Sequence, residues 1–434
     1  AGYANQCSEY WHKENYENAF TPCKEQAEQG DAEAQYNLAM MYDKGDGTEQ
    51  DKQKAVYWYT KAAEQSNFIA QNNLGKKYYF GDGIAQDKVK AVYWLSKSAE
   101  QGYASAQNSL GFMYDNGDGI EQDKQKAVYW YTKAAEQGDA VAQHNLGVNY
   151  SHGDGIEQDK QKAFYWYTEA AKQGLLMAQN NLALMYDKGD GVEQDKQKAE
   201  YWYIKSAEQG DVNAQYNLGN TYYKGEDIEQ DKQKAFYWYT KAAEQGHTNA
   251  QYNLAYMYDE SEGIKEGKQK AFYWYTKSAE QDNANAQYNL ALMYDKGDGV
   301  EQDKQKAFYW YTKAAEQGVF KAQNKLAFMY DKGKGIKQDK QKAIYWYTKV
   351  AEKGSPIAQK NLANKYYYGE GIEQDKQKAL YWYTNAAKQG DPDAQYNLAL
   401  MYDKGDGVEQ NRSLAQKYYQ QACDGYSQEA CNKL

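Results

Sequence analysis

Residues Asp31 to Ser66 read D-A-E-A-Q-Y-N-L-A-M-M-Y-D-K-G-D-G-T-E-Q-D-K-Q-K-A-V-Y-W-Y-T-K-A-A-E-Q-S. Ala34, Leu38, Met41 and Tyr42 stand at the i, i+4, i+7, i+8 spacing of a helix with one buried stripe. Gly45 and Gly47 then break the pattern, and Asp51 supplies a cap for a second helix whose stripe is Ala55, Trp58, Tyr59, Ala62 and Ala63. Later copies mark the same limits independently. Ser355-Pro356 and Asp391-Pro392 set a capping side chain before a proline suited to the first helical position, and Gln137-Gly138 closes a second helix with a residue that tolerates a left-handed turn. The stretch reads as a helical hairpin.

The hairpin recurs eleven times without insertion. Gln35, Gln71, Gln107, Gln143, Gln179, Gln215, Gln251, Gln287, Gln323, Gln359 and Gln395 are each 36 residues apart, every one inside an A-Q-x-x-L motif. A period of this size means one supersecondary unit stacked on copies of itself, so the chain reads as one elongated solenoid domain. Position 39 and its equivalents are always Ala or Gly, which lets paired helices approach closely. Trp58 and its nine equivalents offer large apolar area to a neighbouring unit. Burial of each ring stabilises by roughly 2 kcal/mol, so the stack is stable where a single hairpin is not.

Composition narrows the partners. With 61 acidic against 51 basic side chains the net charge is −10 over 434 residues, and no Lys/Arg run stands apart from the repeated D-K-Q-K segment. Nucleic acid is an unfavourable partner, and basic proteins or peptides are favoured electrostatically. The apolar runs are far too short for a membrane span. The sequence begins at Ala1, which leaves room for a removed export signal. Four cysteines fall outside the regular repeats, Cys7 and Cys23 at one end and Cys423 and Cys431 at the other. Two terminal pairs suggest two disulfide staples, with free buried thiols as the alternative, and a zinc site would need all four together.

The pattern A-x-A-Q-x-N-L-[GA]-x-M-Y-x-x-G-x-G followed by D-x-x-K-A-x-x-W-Y-x-K-A-A-E-Q-G resembles the Sel-one-like repeat family, the 36-residue relatives of tetratricopeptide repeats. The resemblance covers residues 31 to 426. It implies an all-α fold, a right-handed α-superhelical solenoid of stacked hairpins whose first helices line a concave face used for protein–protein adaptor work. Residues 427 to 434 begin a twelfth copy as a C-terminal cap. Residues 1 to 30 resemble the truncated hairpin that often opens such arrays, with Cys7 and Cys23 placed to face each other about the turn near Lys13 to Asn15. The spacing A-C-D-G-Y-S-Q-E-A-C resembles the bridge of cysteine-rich secreted members of the family, with Cys423 on a second helix and Cys431 on the next first helix. Only one such pair exists, so the resemblance stops short of that subgroup.

No catalytic chemistry stands out. In the loop D-K-G-D-G-V-E-Q-D, Gly189 and Gly191 occupy places where an EF-hand needs oxygen ligands, so a solvated turn is expected and no metal. His144 and His152 lie eight apart with no third ligand and read as surface histidines. Residues repeated ten times do not readily make one asymmetric active site, so no catalytic residue, cofactor or enzymatic activity is expected.

A partner surface is sought among positions that packing does not explain. Opposite the buried stripe of the first helix lie positions 33, 36 and 40. Column 40 carries Met40, Phe112, Val148, Leu184, Tyr256, Leu292, Phe328 and Leu400, interrupted by Lys76, Asn220 and Asn364. Column 36 adds Tyr36, Tyr216, Tyr252, Tyr288 and Tyr396. These side chains either meet a partner or are covered by neighbouring first helices. Column 37 is nearly constant: Asn37, Asn73, Asn145, Asn181, Asn217, Asn253, Asn289, Asn361 and Asn397, replaced by Ser109 and Lys325. Asparagine is a mediocre helix former, so it serves either an extended peptide backbone or a carbonyl of its own or the adjacent hairpin. Asn181, Leu184, Tyr216, Asn217, Tyr252, Asn253, Tyr256, Tyr288, Asn289, Leu292 and Phe328 form the candidate binding groove. A third column, Tyr57 and its equivalents from Tyr93 to Tyr381, decorates the opposite face.

The expected function is a non-enzymatic scaffold or adaptor that holds a protein or extended peptide in that groove. Alternatives are an immunity or inhibitor protein that blocks an exported toxin or enzyme, a role some exported bacterial repeat proteins resemble, and an enzyme acting on cell-wall material. The terminal cysteine pairs point to a periplasmic or secreted location. Residues 225 to 270, where Asp227 and Ser261 break the Gly-rich loop and Gly267 replaces the capping Asp, are expected to be softer than their surroundings.

Overall fold

The opening repeat shows why the hairpin forms. Its first helix is Ala32–Lys44, and Asp31 Oδ1 accepts the Ala34 N–H at 2.7 Å at its start. Gly45, at φ 79°, ends that helix in the left-handed region where a side chain would be strained. Asp51 Oδ1 then accepts the Lys54 N–H at 3.0 Å and starts the second helix, Lys52–Glu64. Gly47 is needed for space as well as for its φ of 72°, because a Cβ there would stand 2.3 Å from the Tyr16 carbonyl oxygen. The computed structural model describes residues 6–261 and 265–434, and among them it shows twenty-five helices and no strand.

The chain forms two units, Ala1–Asp231 and Lys232–Leu434. The first contains the hairpin Gln6–His12 and Tyr16–Glu28, then successive hairpins ending with the helix Val212–Lys224. The second runs from Lys232–Glu244 to the short helix Gln428–Cys431. In each, the core lies between the two helices of a hairpin and the first helix of the next. Tyr59, Leu38, Ala55 and Ala70 are fully buried together, with Trp58 and Trp94 partly buried against them. The small residue of column 39 is required by this contact. At Gly75 a Cβ would lie 2.6 Å from Leu95 Cγ, and at Gly111 it would lie 2.8 Å from the Tyr131 ring.

The invariant glutamine of the A-Q-x-x-L motif is buried and couples repeats through its side chain. Gln71 Nε2 donates to the Ala63 carbonyl of the preceding repeat at 3.1 Å, and its Oε1 accepts from Gln101 Nε2 at 2.7 Å. The same pair of bonds recurs at Gln143, with Ala135 at 3.2 Å and Gln173 at 2.9 Å, and at Gln287, with Ala279 at 3.2 Å and Gln317 at 2.8 Å. Two exceptions explain themselves. Gln323 Oε1 and Gln395 Oε1 are buried without a partner, and the residues thirty places on are Lys353 and Gly425 instead of glutamine.

All four cysteines are paired. Cys7 is bonded to Cys23, joining the helices of the opening hairpin, and Cys423 is bonded to Cys431, tying the helix Arg412–Asp424 to the short helix after it. Residues 1 to 5 of the expected capping hairpin lie outside the described residues. Gly267 falls inside the helix Lys265–Glu280. With no aspartate to cap it, this helix begins three residues earlier than the pattern of its neighbours, and residues 262 to 264 of the expected soft segment lie outside the described residues.

Candidate functional site

In each unit the face carrying columns 36, 37 and 40 is built from successive first helices, and column 37 forms the seam between them. Within the first unit, Asn145 Nδ2 donates to Asn108 Oδ1 at 3.2 Å and Asn217 Nδ2 donates to Asn180 Oδ1 at 3.1 Å. Asn181 Nδ2 lies 3.0 Å from His144 Nε2. Each bond joins a column 37 amide to the column 36 residue of the preceding repeat. At the start of the chain sulfur takes that part, with Asn37 reaching Cys7 Sγ at 3.7 Å and Asn73 reaching Met40 Sδ at 3.8 Å. The partners Asn108 and Asn180 offer side-chain amide carbonyls of the adjacent hairpin, whereas His144, Cys7 and Met40 offer a ring nitrogen or sulfur.

Column 36 therefore does not point outward. Asn72, His144 and Asn180 are buried and Tyr216 is half-buried. His144 corrects the reading of a surface histidine. Its ring packs against Tyr167 with centroids 5.7 Å apart, and burial holds its pKa below the ordinary histidine value, partly offset by a hydrogen bond with Asn145. His152 is exposed, with Nδ1 3.0 Å from the Val148 carbonyl oxygen. No group of three or more His, Cys, Asp or Glu is placed to hold a metal among the described residues.

In the second unit the tyrosines of column 36 fill the seam. Tyr252 lies against Tyr275 and Tyr288 against Tyr311, each with ring centroids 5.9 Å apart, and Tyr275 and Tyr311 are fully buried. Burial raises the pKa of Tyr252 and Tyr288, and a hydrogen bond with Asn289 offsets part of the rise at Tyr252. Tyr275 and Tyr311 are pushed up further, first by burial and then by Asp259 and Asp295, whose carboxylates accept their hydroxyls at 3.4 and 3.2 Å. These phenols stay neutral hydrogen-bond donors. Asn253 is half-buried within the same face.

Column 40 is what the first-helix face of each unit presents to solvent. Leu184 and Leu292 are half-buried, whereas Phe112, Tyr256 and Phe328 remain 44%, 37% and 42% exposed. Neighbouring first helices cover the smaller members only in part. The ammonium of Lys334 sits 5.2 Å from the Phe328 ring centroid. Column 57 is exposed throughout, and each of its tyrosines stands edge-on to the tryptophan that follows, as in Tyr57 and Trp58 at 5.0 Å.

Charges organise the loops and include two residues that the pattern of columns did not single out. Lys52 pairs with Asp43, Lys124 with Asp115 and Lys196 with Asp187, each at 2.7 Å. Lys77 and Lys365 stand where most repeats carry methionine and are buried, Lys77 against Asp43 and Asp82, Lys365 against Asp331 and Glu370. The clue in the sequence is a paired change: wherever column 41 is Lys, column 43 of that repeat is tyrosine, at Tyr79 and Tyr367. The loop carboxylates are thereby engaged within the fold.

The Sel1 repeat matches this chain eleven times in succession, from residues 32–67 to residues 392–427. Among solved structures, a protective antigen present in uropathogenic Escherichia coli strains, displaying an SLR fold, is 38% identical, with 95% of this chain and 89% of that one covered and a TM-score of 0.78. A Sel1 repeat protein from Oxalobacter formigenes is 35% identical, with 71% and 89% covered and a TM-score of 0.57. No significant match exists among curated proteins.

Proposed function

The chain belongs to the Sel1-repeat family, and from that premise we propose that it is a non-enzymatic scaffold that binds a protein or extended peptide on the face formed by its first helices. The observation that carries this reading is the apolar character of column 40 at positions where packing does not cover it. In the second unit Tyr256 and Phe328, two repeats apart in column 40, are large and well exposed, and in the first unit Phe112 is exposed likewise; exposed apolar side chains of this kind favour a protein contact. In the second unit the candidate residue Leu292 belongs to the same column, beside Asn253, Asn289, Tyr252 and Tyr288, and in the first unit Leu184 stands beside Asn181, Asn217 and Tyr216. The bridged termini support work in an oxidising compartment, the periplasm or outside the cell. No helix of the described residues is long and apolar enough to cross a membrane.

The test is capture from native extract by the full chain and by its Tyr256→Lys, Phe328→Lys double variant. Both positions are exposed, so the melting temperature should hold while the captured protein is lost. A partner retained in full by the variant sinks the reading. Recovery of one dominant toxin-like partner, encoded beside this chain, would redirect it to the inhibitor alternative.

A further inference from the structure

The ninth repeat, Phe320 to Ser355, reverses the charge of the chain. It carries nine lysines against three carboxylates, Asp331, Asp339 and Glu352, in a protein whose net charge is −10. The repeat before it has four lysines against five carboxylates, and the repeat after it five against four. Lys321, Lys325, Lys334 and Lys337 stand where the eighth repeat has Asn285, Asn289, Asp298 and Glu301. These lysines are scattered in sequence, so no basic run stands out. On the helix Phe320–Lys332, however, Lys321, Lys325, Phe328 and Lys332 fall at i, i+4, i+7 and i+11 and share one face.

Two of the three carboxylates of this repeat are engaged elsewhere. Asp331 is held by Lys340 and Lys365, and Asp339 caps its own helix by accepting the Gln341 and Lys342 N–H groups. Lys321, Lys334 and Lys337 are exposed and Lys325 is half-buried, and none of the four makes an ion pair among the described residues. Lys334 turns to the exposed Phe328 ring instead. Lysines four apart on a helix repel each other, and Lys321 lies in the first turn, where the helix dipole disfavours a cation. Val319 supplies no capping side chain there. The arrangement is unfavourable in the free chain and is relieved by an anion.

The surroundings limit that anion to a short one. A nucleic acid laid across the first helices would run on to the eighth and tenth repeats, where lysines and carboxylates nearly balance and Lys360 is already paired with Asp393 at 2.8 Å. The helix has 13 residues, which is about 20 Å, the reach of about six residues of extended chain. Phe328, set between the lysines, asks for an apolar side chain between the negative charges. We propose that this face binds a short acidic segment of a partner protein, with its carboxylates on Lys321, Lys325 and Lys334 and an apolar side chain against Phe328. The net charge of the chain favours basic surfaces in general, and at this face the sign is reversed. The inference rests on the scaffold reading and names the chemistry of one contact within it.

The probes are the capped peptides Glu-Glu-Leu-Glu-Glu and Gln-Gln-Leu-Gln-Gln, titrated calorimetrically into the full chain at low salt. The acidic peptide should bind at least tenfold more tightly than the neutral one, and the difference should shrink as salt is added. The variant Lys321→Asn, Lys325→Asn, Lys334→Asp, Lys337→Glu gives the ninth repeat the residues of the eighth. It should bind the acidic peptide at least tenfold more weakly with its melting temperature unchanged. The same total charge change on the second helices, Lys241→Glu, Lys277→Glu, Lys349→Glu, should weaken binding less than threefold. Exchanging Leu for Gly in the acidic peptide should weaken binding severalfold to the wild type and not to Phe328→Ala. Equal affinity for the two peptides, no binding at millimolar peptide, equal losses in the two charge variants, or a twenty-nucleotide oligothymidylate bound as tightly as the acidic peptide overturns the proposal. Such a failure leaves the scaffold reading standing if the Tyr256→Lys, Phe328→Lys variant still loses its captured partner.

Discussion

Lys365 places its ammonium 2.6 Å from the carboxylate of Asp331 in the preceding repeat, with only 7% and 5% of the two side chains exposed. Burial alone would raise the pKa of Asp331, but hydrogen bonds and attraction from Lys365 and Lys340 outweigh it and hold the carboxyl below its ordinary value. A carboxyl depressed in the fold contributes stability above its unfolded value, about 3.9, and loses it as pH falls through the folded value. The urea midpoint of the wild type should therefore decline as pH drops below about 4. Asp331→Asn should flatten that acid limb, and an unchanged slope would refute the assignment. Lys365→Met should be neutral or stabilising by about 1 kcal/mol, because Asp331 keeps Lys340 at 2.9 Å.

Lys353 stands where a glutamine would satisfy Gln323 Oε1. Lys353→Gln should complete the network seen in other repeats and raise stability by about 1 kcal/mol, read as a higher denaturant midpoint at constant slope. No change would mean that leaving this oxygen unpaired costs the fold little.

The seam makes a contrary prediction at Asn217. Alanine is the better helix former, by a few tenths of a kcal/mol. Its loss of the bond to Asn180, whose own side chain is buried, should nevertheless cost about 1–3 kcal/mol. If Asn217→Ala melts at or above the wild-type temperature, the bridge contributes nothing, and the case for a backbone-binding role of column 37 strengthens.

Asp227 adopts a φ of 55° where most repeats have glycine. Asp227→Gly should relieve the left-handed strain and stabilise by about 0.5–1 kcal/mol. Amide exchange should be faster over residues 225 to 261 and 265 to 270 than in the flanking repeats. Equal protection would contradict the expected softness.

Each disulfide closes a short loop, with sequence separations of 16 and 8 residues. Chain entropy gives about 3 and 2.5 kcal/mol for them. Paired Cys→Ser changes should lower stability by those amounts, as measured by chemical denaturation without reductant. Thiol labelling that finds four free cysteines in protein isolated from its native source would remove the argument for export.

Much of the hairpin was legible because its signals are local. Gly45, Asp51 and the spacing of Leu38 and Met41 act within one or two turns, so they read correctly in any copy. The face was harder to read because its determinants lie 30 to 37 residues apart. His144 looked like a surface residue on its own helix, but Asn181 and Tyr167 cover it. Lys77 and Lys365 looked like interruptions of a methionine column, and only the carboxylates of Asp43 and Asp331 one repeat back make them core residues.

The glutamine network has a consequence for how such a chain changes length. Every Gln35 equivalent needs a carbonyl eight residues before it and, for full satisfaction, an amide thirty residues after it, and neither requirement names a particular copy. A gene rearrangement that joins any two repeats in phase preserves both bonds, whereas a junction out of phase strands buried amides and is lost with the fold. The number of copies is thus a quantity that inheritance can alter in whole steps, while the 36-residue step itself is held fixed by chemistry.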